Sequence, residues 1–173
     1  MTSVREIRQK ARQVQRGYAG DADRPLAGYV GAMGAYGAFV GGLTVLGRAL
    51  GARLPRHVGA GDTVLLAAAT FKASRMLAKA AITSPLRAPF TRYEEPAGED
   101  ELNESVPGKG RVEHALGELV SCPFCLDVWI GTGLAAGLVL APRPARFAAT
   151  VLTAIGAADV LHLLYDAGKK LAG

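Results

Sequence analysis

Between Pro25 and Gly47 no ionisable residue interrupts the chain, whereas Arg5, Arg8, Lys10, Arg12, Arg16 and Arg24 crowd the stretch before it. As a helix this run of about 23 residues is roughly 34 Å long, enough to cross a hydrocarbon core of about 30 Å. Two more apolar runs follow near the other end of the sequence. Leu126 to Ala141 is broken only by Asp127, and Phe147 to Tyr165 holds Asp159 and His162. The turn between them, Pro142-Arg143-Pro144-Ala145-Arg146, is short enough that the two helices must be antiparallel neighbours. A fourth run, from Asp62 to about Thr83, is apolar apart from Lys72, Arg75 and Lys79, which fall three and four apart and form one basic stripe.

This pattern predicts an all-α, multipass transmembrane bundle with helices at about 25–47, 62–83, 119–141 and 147–165, the second of them polar. Residues 84–111 contain four prolines and an acidic cluster and read as a polar loop. Residues 1–24 form a separate basic segment, in which Val4, Ile7, Ala11 and Val14 recur at helical spacing between the arginines. That segment is expected either on the membrane surface or as a solvated tail. If the second helix spans, the tail, the acidic loop and the C-terminal end share one side with twelve of the 20 Lys and Arg, against five in the two opposite loops. That bias places both ends in the cytoplasm. If the second helix lies flat there are three spans, and the Cys122 end faces outside.

The charge balance adds one decision. The net charge is +5, but aromatics make up only 6% of the chain, so a basic nucleic-acid face interleaved with stacking rings is not expected. Basic residues held at an anionic lipid surface account for the same excess. The first apolar run is too long for the core of a signal peptide and reads as an uncleaved anchor.

Candidate chemistry is sparse. Cys122-Pro123-Phe124-Cys125 puts two thiols at a helix start, where the helix N-terminus favours a thiolate. Disulfide exchange, metal binding and simple packing beside Trp129 all remain open there. Zinc needs four ligands and only His114 is near in sequence, so no metal or cofactor is expected. In the four-span arrangement Asp127 lies about 7 Å and Asp159 about 9 Å inside the same leaflet. Arg75 and Lys79 reach that leaflet too and are expected to neutralise them, since an unpaired charge at depth costs at least about 2.5 kcal/mol. Asp159 and His162 share a helical face, which allows a proton pathway or a purely structural pairing. The Gly37/Gly41 pair, and Gly133 with Gly137, predict close helix packing, with self-association or another membrane protein as partner.

Pro85-Leu86-Arg87-Ala88-Pro89-Phe90, followed after the loop by Gly117-Glu118-Leu119-Val120-Ser121-Cys122-Pro123-Phe124-Cys125 and Trp129, resembles a family of small bacterial membrane proteins known as domain of unknown function 1360. The similarity runs from roughly Gly28 to the C-terminal end, and its specific part is the pairing of Arg87, Pro89 and Phe90 with the cysteine motif and Trp129. The resemblance implies a multipass bacterial membrane protein and brings no activity; the bacterial cytoplasmic membrane is the expected location. The expected role is structural or interaction-based; the alternatives are thiol/disulfide exchange at Cys122 and Cys125, or a proton-coupled carrier using Asp127, Asp159 and His162.

Overall fold

A computed structural model describes residues 4–19, 26–107 and 110–172, and these are mostly helical. α1 (Val4–Ala19) is followed by α2 (Leu26–Ala49), α3 (Ala60–Lys79), a 3-10 turn (Ala81–Thr83) and the single-turn α4 (Ser84–Arg87). Strands β1 (Arg92–Gly98) and β2 (Glu101–Ser105) lead to α5 (Arg111–Ser121), α6 (Pro123–Leu140) and α7 (Pro142–Ala172). Three helices, α2, α6 and α7, are long and apolar enough to cross a membrane. Pro25, where the first run was expected to begin, lies outside the described residues.

Proline explains two of the boundaries. The helix expected over 119–141 is divided, because Cys122 is extended and Pro123 opens α6 in the first turn, where the missing N–H is no loss. The turn expected at 142–146 is absorbed into α7 for the same reason. Pro142 and Pro144 both sit among the first four residues, whose amides have no helical partner anyway, so Ala141 alone separates the two helices.

Contacts fix the helix directions. Along α2, Tyr29 meets Glu118, Tyr36 meets Thr132 and Gly47 approaches Leu140, so α2 runs parallel to the α5–α6 segment. Along α3, Asp62 meets Arg146, Thr153 donates to the Leu65 carbonyl and Lys72 meets Asp159, so α3 runs parallel to α7. α6 and α7 form an antiparallel hairpin, and α3 therefore runs opposite to α2 and α6. α3 packs on both α6 and α7 through small residues. Ala69, Ala73, Ser74 and Ala78 are its buried positions, and short side chains let the neighbouring backbones come close. Large apolar side chains point the other way. Val30, Met33, Val45, Leu161, Leu163 and Leu164 are all exposed, a surface that water does not favour.

The expectation of an all-α fold with a loop over 84–111 is corrected by β1 and β2. They form an antiparallel hairpin in which Arg92 faces Ser105, Tyr93 faces Glu104 and Gly98 faces Glu101. Hydrophobic alternation does not reveal it, because β1 is exposed along its whole length and carries charges on both faces. The turn is closed by Gly98 (φ 143°) and by Asp100 (φ 59°), a residue type that tolerates the left-handed region. The Asp100 carbonyl accepts from the Ala81 amide at 2.9 Å, and Ala80 bridges to Glu101, so the hairpin is pinned to the end of α3.

Candidate functional site

Arg87 is the largest fully buried side chain, 1% exposed. Pro85 starts α4 and the single helical turn carries Arg87 back under the C-terminal end of α3. Its Nε and Nη2 donate to the two Glu104 carboxylate oxygens at 2.7 and 2.9 Å. Nη1 donates to the Leu77 carbonyl and to Thr83 Oγ1, both at 2.8 Å, and Nη2 also reaches the Ala80 carbonyl at 3.1 Å. A guanidinium has five N–H donors, and these five bonds use them all. Of the acceptors, the Leu77 carbonyl belongs to the last turn of α3 and the Ala80 carbonyl to its C-cap residue, at the negative end of the helix dipole, so Arg87 caps α3 as well as pairing with β2.

Thr91 completes the centre. Its hydroxyl lies 3.1 Å from Glu104 and 3.0 Å from the Arg87 carbonyl. Burial alone would push the Glu104 carboxyl up. The bonds and charge of Arg87, the Thr91 hydroxyl and the charge of Lys79 outweigh it and hold the carboxyl below its ordinary value of 4.5. A depressed folded value makes this stabilisation complete above about pH 4.5 and removes it as pH falls through the lowered value. Melting temperatures measured from pH 8 to pH 3 are therefore expected to hold level and then drop in the acid range, and Glu104→Gln should shrink that acid-dependent part.

The cap closes on α5 at a residue with no side chain. A Cβ added to Gly117 would lie 2.4 Å from Val106 Cγ1 and 2.8 Å from the Phe90 carbonyl oxygen. The carbonyl is backbone and cannot swing aside, so Gly117→Ala is expected to cost about 1–3 kcal/mol. Thermal unfolding, with protease cutting of the hairpin as a second readout, checks it.

The cysteine motif lies at the α5–α6 break beside this cap. Cys122 is the N-cap of α6 and its Sγ accepts the Cys125 amide at 3.3 Å. Both thiols are free, Cys122 half-buried and Cys125 exposed. Phe124 is 82% exposed. Behind them Tyr29 donates to Glu118 at 2.5 Å, and His114 Nε2 lies 3.5 Å from the same carboxylate. Trp129 packs on α2 with ring centroids 5.3 Å from Tyr36 and 5.6 Å from Phe39. Among the described residues no group of three or more His, Cys, Asp or Glu side chains is arranged to hold a metal.

The basic stripe of α3 is matched by carboxylates, though not by those expected. Asp159 pairs with Lys72 at 2.5 Å rather than with Arg75 or Lys79. Arg75 turns to Glu101 in β2, with bonds of 2.9 and 2.5 Å, and the charge of Lys79 acts on Glu104. The reason is the register of the parallel α3–α7 pair, which sets Lys72 level with Asp159 and leaves the later basic residues beside the hairpin. Asp62 at the start of α3 pairs with Arg146. Asp127 is not reached by the stripe, and its buried Oδ1 has no hydrogen-bond partner among the described residues. His162 is exposed and is not brought into a cluster with Asp159.

The glycines divide sharply. Gly133 and Gly137 lie inside the chain's own packing, where an added Cβ would come 3.8 Å from Phe39 and 3.0 Å from Ala145. At Gly31, Gly34, Gly37 and Gly41 an added Cβ would meet nothing within 4 Å. The helix expected against Gly37 and Gly41 is therefore not supplied by the described part of this chain. α2 turns its aromatic side, Tyr29, Tyr36 and Phe39, to the bundle and its glycine side away from it.

The sequence pointed to Arg87, Cys122, Cys125 and Asp159, and it held Lys72 and Gly117 without their present roles, but it did not point to Glu104 or to the Asp62–Arg146 pair. Lys72 belonged to a stripe already visible. Glu104 carried no separate signal among its acidic neighbours.

The profile of a family described as protein of unknown function (DUF1360) matches residues 65–165. The match is shorter than the resemblance suggested, since α2, the start of α3 and the end of α7 lie outside it. The chain is also 32% identical over 104 residues to a sporulation protein, YjcA, of Bacillus subtilis (strain 168), an alignment covering 58% of this chain and 87% of that protein. No solved structure matches.

Proposed function

The chain belongs to the DUF1360 family, and from that premise we propose that it is a four-span bacterial inner-membrane protein with a structural, interaction-based role. In this reading α2, α3, α6 and α7 cross the bilayer, and both termini and the hairpin cap face the cytoplasm. α1 lies on the membrane surface, with Ile7, Val14 and Tyr18 towards lipid and the basic residues towards headgroups.

The observation that carries the four crossings is the direction of α3. Because α2 and α6 run parallel and side by side, the chain must return between them, and α3 makes that return over 20 residues, roughly 30 Å. Its charges are no obstacle, since Asp62, Lys72, Arg75 and Lys79 each face an opposite charge from another element.

The interaction role rests on the outward glycine side of α2. In lipid, where lipid tails give no hydrophobic drive to pair helices, small residues matter because they allow close backbone contact. An exposed face of Gly34, Gly37 and Gly41 suits a second α2 or a helix of another membrane protein. The test is disulfide cross-linking of Ala38→Cys in a chain with Cys122→Ser and Cys125→Ser. Cross-linked dimer is expected in membranes and should fall severalfold with Gly37→Leu or Gly41→Leu while the melting temperature holds. Equal cross-linking with the bulky residues present would reject this face. A scaffold of this kind needs no catalytic residue and accommodates the similarity to a sporulation protein without assigning a reaction.

A second reading is favoured by one observation, the exposure of Cys125 one turn from Cys122 at a helix start. Thiol exchange would then be the activity. The scaffold reading expects both thiols of cells lysed in alkylating agent to be modified without reductant. Protection that disappears only on reduction would favour exchange.

A further inference from the structure

A cleft of about 810 Å³ opens between the second half of α2, the start of α3 and the second half of α6, at the end of the bundle opposite the cysteine motif. That volume lies within the range of roughly 300–1,000 Å³ typical of small-ligand sites. Its inner walls are apolar, with Val40, Leu43, Ala136 and Val139 among them, and Ala135 and Ala136 leave the room that larger side chains would fill. Its mouth is polar and contains Arg48, His57, Asp62 and Arg146. Asp62 and Arg146 neutralise each other. Arg48 has no ion pair or side-chain hydrogen bond among the described residues, so the mouth carries one uncompensated cation.

We propose that this cleft binds an anionic phospholipid, with its phosphate at Arg48 and an acyl chain between α2 and α6. The proposal rests on the reading of α2 and α6 as spans. Arg48 lies in the last turn of α2 and Val40 eight residues earlier, about 12 Å deeper at 1.5 Å per residue. Charge at the interface and an apolar slot running below it match the division of a phospholipid into head and tail. A soluble anion would leave the slot unfilled, and a zwitterionic lipid would bring its own headgroup cation to a mouth that already carries one unmatched positive charge.

The sole tryptophan supplies the readout, because Trp129 lies one helical turn before the cleft residue Thr132. The full chain is reconstituted into phosphatidylcholine vesicles and titrated with phosphatidylglycerol or phosphatidylcholine bearing brominated acyl chains, which quench tryptophan on contact. Brominated phosphatidylglycerol is expected to quench at a lower mole fraction than brominated phosphatidylcholine. Arg48→Gln should weaken that preference roughly fivefold, Ala136→Phe should abolish it, and Arg53→Gln, which lies outside the cleft, should leave it intact. Equal quenching by the two lipids, or equal loss with Arg53→Gln and Arg48→Gln, would overturn the proposal in favour of general surface charge. An alkaline wash made first separates the two failures: a chain stripped from the vesicles defeats the membrane reading itself, whereas a retained chain without lipid preference defeats only the lipid site.

Discussion

Arg87→Ala is expected to destabilise the protein by about 3–5 kcal/mol, the usual consequence of leaving one half of a buried ion pair unmatched. Glu104 would stay buried beside Thr91 without its bidentate partner, and the Leu77 and Ala80 carbonyls would lose their donor. The damage should be local at first. The hairpin is held to α3 through the Arg87–Glu104 pair and the Ala81–Asp100 bond, so protease cutting within β1 and β2 should increase before the apolar helices unfold. Arg87→Lys keeps the charge but cannot make a fork with the carboxylate, and it should recover only part of the loss. The double variant Arg87→Met with Glu104→Leu should be more stable than either single change, because it removes both charges together. Melting curves of the unmodified protein and these variants in one detergent check the series.

Lys72→Asp is the second large effect. It would set two carboxylates against each other between α3 and α7, where a charge without a partner costs about 2.5–3.5 kcal/mol on insertion scales. The amount of folded protein recovered from membranes should fall steeply with Lys72→Asp and with Asp159→Lys. It should return towards the original level when both are combined, since the swapped pair has the same geometry with the signs exchanged. Combining Asp159→Lys with Lys79→Asp should not rescue, because the charge of Lys79 is engaged at Glu104 rather than Asp159. That contrast separates a specific pair from a general preference for balanced charge.

The legible part of this molecule was its apolar helices. Absence of charge over 23 residues is a signal of length and composition, and α2 obeys it to within two residues at its C-terminal end. The Pro142–Arg146 turn was legible as an antiparallel connection for the same reason, although two prolines near a helix start shortened the turn more than composition suggested. The hairpin was not legible, because its strands are polar on both faces and are held by α3 and α5 instead of by alternating hydrophobic residues. The polar pairs were half legible. Periodicity put Lys72, Arg75 and Lys79 on one side of α3, but which carboxylate each meets depends on helix direction and register, and those appear only once the helices are packed. The glycines of α2 were visible as a packing surface, yet sequence could not tell an inward face from an outward one. The aromatic side of the same helix decides that, through Tyr36 and Phe39 on Trp129.

Everything proposed about topology depends on α3 crossing the bilayer, and the sidedness of its two ends tests this most directly. Single cysteines are introduced at Arg53→Cys, between α2 and α3, and at Glu95→Cys, in the exposed strand β1, each with Cys122→Ser and Cys125→Ser; serine at 122 retains an N-cap oxygen. Intact cells are then treated with a membrane-impermeant maleimide and compared with permeabilised cells. Four spans predict that the cysteine at 53 is labelled in intact cells and the one at 95 only after permeabilisation. Labelling of both in the same condition would mean that α3 does not cross, and would contradict the four-span bundle.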